Sequence, residues 1–218
     1  MSELNYIDIL LSFLRWSIGL SIGCFAGLLM ALLGSFKPVS FTLKITNDFL
    51  RAIPILGLVP VIQMNIGINE YGKIGLIAWA VIFPVWITVR NAIEKNLENS
   101  HLMLTAANIS KYHFFKFFTF PKILGGFLRG VELAIGIAWL AVVAAEWVGT
   151  YTMGFWSGGL GYKMLIGYEL NNWRTVHISL LLFGVLGLTT AYIWRLTMKL
   201  VYENNKAFNP IVKEITQA

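Results

Sequence analysis

A single cysteine in 218 residues leaves no partner for an intrachain disulfide. Cys24 lies in an apolar run, where a free thiol behaves as a small buried hydrophobe. Charge is scarce as well. Asp, Glu, Lys and Arg make up 13% of the chain, against about 25% in ordinary soluble domains. The three histidines, His101, His113 and His177, lie far apart on different elements, which argues against a metal site. No Ser-His-Asp or Cys-His arrangement is visible, and no glycine-rich phosphate loop follows a strand. No nucleotide site is therefore expected on this chain. The opening "MSELNYID" is acidic where a signal peptide is basic, and no small-residue cleavage site closes the run behind it. That run is expected to stay as a span. No tandem repeat, low-complexity tract or separate soluble domain is apparent, so 1–218 reads as one domain.

Apolar residues, by contrast, are in excess. They form 57% of the chain, and the mean hydropathy is +0.68. A soluble domain of this length cannot bury so much apolar surface, so lipid must cover part of it. Five runs come near the roughly 20 residues that cross a bilayer. They fall at 16–33, 49–68, 72–89, 126–148 and 176–194. The second carries Pro54, Gly57 and Pro60. It spans only if its prolines kink it against protein, because freed backbone groups are not tolerated facing lipid. The expected fold is an all-α polytopic bundle of about five transmembrane helices.

The loops set an orientation. Lys37, Lys44 and Arg51, then Arg90, Lys95, Lys111, Lys116 and Lys122, then Arg195, Lys199, Lys206 and Lys213 put twelve positive residues on one side. The other side has four: Arg15, Lys73, Lys163 and Arg174. The positive-inside rule makes the richer side cytoplasmic, with the N-terminus out and the C-terminus in. On the cytoplasmic side lies "ENSHLMLTAANISKYHFFKFFTFPK", 98–122. Ser110 is a candidate N-cap for a short helix that stops at Pro121. His113, Lys116 and Thr119 form a narrow polar stripe, and Phe114, Phe117 and Phe118 crowd the other side, flanked by Tyr112 and Phe115. Two readings stand on pattern alone: a helix lying among lipid headgroups, or a docking helix for a soluble partner.

This segment resembles the cytoplasmic motif of permease subunits of binding-protein-dependent ABC importers: EAA, three residues, Gly, nine residues, then Ile-x-Leu-Pro. Pro121 takes the final proline, Phe120 the leucine, Phe118 the isoleucine, and Asn108 the glycine. Leu102, Met103 and Leu104 stand at EAA, so the motif's glutamate is missing. "FLRAIPILGLVPV" resembles the family's Arg-Pro-x-Pro stretch through Arg51, Pro54 and Pro60. "GVELAIGIAWLAVVAAEWVG" and the following "GLGY" (Gly159, Leu160, Gly161, Tyr162) resemble the nitrate, sulfonate, taurine and bicarbonate branch. These matches keep order and spacing from residue 13 to about 166. Family members usually have a further N-terminal span, and a five-helix form resembles the smaller permeases, such as those for methionine.

The resemblance implies a type I importer permease in the plasma (inner) membrane of a prokaryote. It implies a second permease copy or sister, and two ABC ATPases docked on the 98–122 segments through Asn108, Ser110, Lys111, Tyr112, Phe114, Phe115, Phe117, Phe118 and Pro121. ATP and Mg would be bound by those ATPases, with no cofactor on this chain. An extracytoplasmic binding protein would deliver a small solute, and no nucleic acid is involved. The branch points to an oxyanion such as nitrate, bicarbonate or a sulfonate; a vitamin precursor is the alternative.

Within the spans, Glu146 is a functional candidate by default, as an ionisable residue inside a membrane helix. Pathway-facing and hydrogen-bonded packing roles are both open for it. Glu132 lies 14 residues earlier on roughly the same face. Arg129, three before Glu132, is expected to pair with it. Trp139 is mid-span, with core packing favoured over substrate contact. Trp147, Trp156 and Trp173 suit an interfacial belt. Gly159, Gly161 and Tyr162 are expected to form a structured outer loop. Gly19, Gly23 and Gly27 form a small-residue face suited to close helix packing. A self-contained channel or secondary transporter would need its coupling charges among Arg129, Glu132 and Glu146, and no inverted repeat is visible. A membrane scaffold would rarely keep such intramembrane polarity.

Overall fold

A computed structural model describes residues 5–35, 37–65, 69–107, 119–148 and 158–203. They form seven helices: α1 (Tyr6–Leu33), α2 (Lys37–Ala52), α3 (Ile55–Asn65), α4 (Glu70–Ala107), α5 (Phe120–Val148), α6 (Leu160–Glu169) and α7 (Trp173–Glu203). No strand occurs among the described residues. Four helices, α1, α4, α5 and α7, are long and apolar enough to cross a membrane. A fifth crossing exists if α2 and α3 count as one, since Ser40–Ala52 and Ile55–Ile62 meet at 90°.

The kink expected within 49–68 is present, but its bounds differ. The helix begins twelve residues earlier, at Lys37, and breaks at Ile53 and Pro54. Proline has no N–H to donate and disfavours the helical conformation in the residue before it, so the break falls there. Pro60 sits inside α3 and Pro84 inside α4 without ending either helix.

The core is a three-helix slab with α4 in the middle. α1 and α4 begin at the same end and α5 ends there, so α5 runs antiparallel to both. Glycines let the backbones close up. A Cβ on Gly23 would lie 2.6 Å from the Ala78 carbonyl oxygen and 2.6 Å from Val81 Cβ, and one on Gly27 would lie 2.6 Å from the Ile82 oxygen. On the other flank, a Cβ on Gly126 would lie 2.7 Å from Ala92 Cβ and one on Gly130 2.7 Å from Val85 Cα. α4 is thus gripped by small residues from both sides, as helix pairs in lipid prefer.

Aromatic stacking joins α7 to this slab. Trp139 of α5 lies parallel to Trp16 of α1, centroids 5.1 Å apart, and meets Phe183 of α7 edge-on at 6.0 Å. Its indole N–H donates to Thr190 Oγ1 at 3.1 Å, while that of Trp16 donates to the Ile135 carbonyl at 3.2 Å. Trp139 is therefore placed in the core. Most of α7 remains uncovered within the chain, with Leu180, Leu181, Val185, Leu188 and Ile193 exposed. A short turn joins α6 to α7. Asn171 takes positive φ there, which asparagine tolerates better than most residues.

α4 is 38 residues long. At about 1.5 Å per residue it reaches about 57 Å, well beyond a hydrocarbon core of about 30 Å. The run at 72–89 is thus only the first half of one helix that continues through 98–107, the first part of the expected docking segment.

Candidate functional site: a buried charge cluster at one end of the bundle

The start of α1 supplies three polar side chains on one face, Asp8, Ser12 and Arg15, at spacings of four and three. Asp8 first completes the helix start. Its carboxylate accepts from the Asn5 backbone N–H at 3.0 Å in a capping box with Asn5. All three side chains are buried although they lie within an apolar helix.

Arg15 is the hub. Its Nε and Nη2 donate to the two carboxylate oxygens of Glu70 at 2.7 and 2.8 Å, a bidentate fork across to the first turn of α4. Its Nη1 donates to Glu146 Oε1 at 2.7 Å and to the Gly158 carbonyl at 2.6 Å. Lys73 donates to Glu70 at 2.9 Å, and Lys163 lies 3.8 Å from Asp8. Three acids face three bases, so the cluster carries no net formal charge. That balance is what burial demands, since an unpaired charge away from water is very costly.

Glu146 closes the cluster from α5. It is 1% exposed. Besides Arg15, it accepts from Ser12 Oγ at 2.8 Å and from the Gly161 N–H at 2.8 Å. Gly159 covers it. That residue has φ +131°, which side-chain-bearing residues rarely adopt, and any Cβ there would collide with the Glu146 carboxylate. The Gly159 N–H donates to Asp8 at 3.1 Å and the Leu160 N–H to Ser12 Oγ at 2.8 Å. Three successive N–H groups at the start of α6 are therefore taken up by α1 and α5. The arrangement clamps the 158–161 turn, α1, α4 and α5 together. The Glu146 carboxylate is thus hydrogen-bonded and enclosed by this chain.

The residues expected for translocation or gating, Glu146, Trp139, Glu132, Arg129, Arg51, Pro54 and Pro60, are spread over α2, α3, the break between them and α5. Glu132 pairs across α5 and α7 with Arg195, Nε to Oε1 at 2.9 Å. Sequence spacing offers Arg129 as a partner for Glu132, and the antiparallel α7 adds Arg195. Arg129 is exposed on α5. Arg51 lies 3.3 Å from Asp48 at the exposed end of α2. Pro54 precedes α3 and Pro60 lies within it, both exposed. Pro54, Ile55 and Leu56 face Leu140, Val143, Ala144 and Trp147 of α5 across an apolar cleft of about 360 Å³. Of the outer-loop residues, Gly159 and Gly161 join the cluster and Tyr162 is half-buried on α6. Asn108, Ser110, Lys111, Tyr112, Phe114, Phe115, Phe117 and Phe118 lie outside the described residues, as does Trp156, and Pro121 stands in the first turn of α5. His177 bonds within its own helix, Nδ1 to the Trp173 carbonyl at 2.6 Å. Among the described residues no group of three His, Cys, Asp or Glu side chains could hold a metal ion.

Sequence reasoning missed Asp8, Ser12 and Glu70 and counted Arg15 only as a loop charge. The signal was present: three polar residues at helical spacing inside an apolar run are costly in lipid and call for buried partners.

Comparison with known proteins agrees with this architecture. The family model for the inner membrane component of binding-protein-dependent transport systems matches residues 23–198. The chain is 29% identical over 197 residues to a putative aliphatic sulfonates transport permease of Bacillus subtilis, covering 89% of this chain and 69% of that protein. It is 26% identical to a nitrate import permease of Synechocystis, covering 84% of this chain and 64% of that one. It is 25% identical to a bicarbonate transport system permease of Synechococcus elongatus, covering 78% of this chain and 57% of that one. The chain thus spans between about half and two thirds of the length of these relatives. The match over most of the chain, on a bundle of four to five apolar helices, makes it a member of the family of multi-pass inner membrane components of binding-protein-dependent transport systems.

Proposed function

We propose that this chain is the permease subunit of an ATP-driven importer and forms part of the pathway for a small oxyanion of the sulfonate, nitrate or bicarbonate type. The observation that carries this reading is the bend between α2 and α3. Irregular backbone at membrane depth is tolerated only where protein covers it or where it lines a wet cavity. Here the break at Ile53 and Pro54 leaves Leu56, Pro60 and Val61 exposed on this chain. A second permease, either another copy or a sister chain, would cover that face, and the pathway would run between the two beside the Pro54–Trp147 cleft.

ATP and Mg would be bound by two separate ATPase subunits, with the 98–122 segments as their docking points. α4 supports this, because one continuous helix joins the slab to the start of that segment and a rigid rod transmits displacement. The Lys- and Arg-rich end would be cytoplasmic, and the charge-cluster end would meet an extracytoplasmic binding protein. The test is uptake of a labelled alkanesulfonate and of nitrate by cells carrying the chain with its neighbouring subunits. Uptake of one of these, with an ATPase that co-purifies, is the expected result. Changing Phe114, Phe117 and Phe118 to Ser should release the ATPase and abolish uptake. Full uptake by that variant would refute coupling through this segment.

A further inference from the structure

At the end of the bundle opposite the charge cluster, the finish of α1, the start of α2 and the middle of α4 enclose a cleft of about 350 Å³. Its polar lining comes from Ser35, Ser40, Lys44, Arg90 and Glu94. Arg90 is only 8% exposed, and its guanidinium is held in place from several sides. Nε donates to Glu94 at 2.7 Å, Nη2 to Ser40 Oγ at 3.0 Å and Nη1 weakly to the Ser40 carbonyl at 3.4 Å, while the ring of Trp86 lies 5.2 Å from Cζ. A guanidinium has five N–H donors, so two remain without a partner among the described residues. Nη1 lies 3.8 Å from where a Cβ on Gly34, another residue of the lining, would stand.

Three further features converge here. Lys44 lines the same cleft and makes no ion pair among the described residues. Ser40 Oγ accepts from Arg90, and among the described residues nothing takes its own proton. One turn or so along the inward side of α2, Asn47 is 0% exposed with both amide atoms unpartnered. The seam between α2 and α4 therefore holds donor capacity and net positive charge that the chain itself does not use.

We propose that this cleft binds a tetrahedral oxyanion of the phosphate or sulfonate kind, gripped by Arg90, Lys44 and the Ser40 hydroxyl. A phospholipid headgroup is the source the surroundings favour. The cleft lies where the apolar spans end, at headgroup level, since one span finishes at Leu33 and another at Lys95. Beside it, Phe41, Ile45 and Phe49 make an exposed apolar stripe at four-residue spacing along α2, ready to lie against acyl chains. A bound anionic lipid would tie the otherwise loosely packed α2 to α4.

The full-length chain in a mild neutral detergent provides the test, with thermal unfolding followed by tryptophan fluorescence. Phosphatidylglycerol, phosphatidylcholine and inorganic phosphate are added separately. Ligand that binds only the folded state raises the midpoint. Phosphatidylglycerol should raise it by about 2–4 °C more than phosphatidylcholine, and Lys44→Gln should remove at least half of that difference. Lys44 is exposed, so this variant should fold; Ser40→Ala is the second variant, with the same direction expected. If inorganic phosphate alone reproduces the rise and Lys44→Gln removes it, the anion site stands with a free oxyanion as occupant. The proposal is overturned if neither anion raises the midpoint above phosphatidylcholine, or if both variants keep the full wild-type response.

Discussion

Glu146 shows how much a single residue can be asked to hold. Its carboxylate joins Arg15, Ser12 and the Gly161 N–H within 3 Å, and Gly159 seals it from above. The stabilisation lies in completeness: removing one member strands the others as buried, unpaired groups. Breaking a buried ion pair by deleting one partner costs about 3–5 kcal/mol. Glu146→Ala should therefore cut the thermal midpoint in detergent severely, whereas Glu146→Gln should cost less because it still accepts from Ser12 and the Gly161 N–H. An alanine variant as stable as wild type would show that Arg15 is satisfied by Glu70 and the Gly158 carbonyl alone. The residue was legible in the sequence as an acid inside a span, but its partners were not. Two of them, Ser12 and Arg15, lie more than 130 positions away, and no local pattern reports that distance.

At the scale of elements, the α1–α4 contact rests on close approach rather than on large side chains. Gly23 is one of its tight points, since even a Cβ would sit 2.6 Å from backbone oxygen. Gly23→Val should separate the two helices and disturb both the slab and the charge cluster above it. The check is size-exclusion chromatography of the purified chain: a broadened or aggregated profile for Gly23→Val, and a wild-type profile for Gly75→Ala, where a Cβ would meet nothing within 4 Å. An unchanged Gly23→Val profile would mean that the helices can slide apart at little cost. The four-residue glycine repeat announced this face in advance. The α2–α3 break was half legible: the prolines marked a disturbance, but the 90° angle and the earlier start at Lys37 did not follow from them. α2 is amphipathic, with apolar residues at four-residue spacing, and only packing decides which way such a helix lies.

For the whole molecule, the decisive contrast is between two kinds of exposed apolar surface. α7 is uncovered along most of its length, as a helix against lipid would be. The α3 face is uncovered too, but its backbone is broken there, which lipid does not tolerate. Single cysteines in a Cys24→Ser background separate the two. Leu56→Cys, at the bend, should react with a charged, membrane-impermeant maleimide in intact membranes. Leu181→Cys, 70% exposed on α7, should not. Equal protection of both would remove the reason for placing a solute pathway beside Pro54.

By itself the sequence determined the class. Its apolar runs are too long and too many for a water-soluble core, its glycines mark the helix contact, and its ordered motifs point to a transport permease. Such features are local, or repeat along one helix, so they survive without knowledge of the fold. The tertiary structure alone decided the pairings. It brought Arg195 to Glu132 from a helix 63 positions away, gathered Asp8, Ser12, Arg15, Glu70 and Glu146 around one buried point, and left Arg90 with donors unspent beside Lys44. A charge inside an apolar bundle must find a partner, and which partner it finds depends on which helices lie side by side.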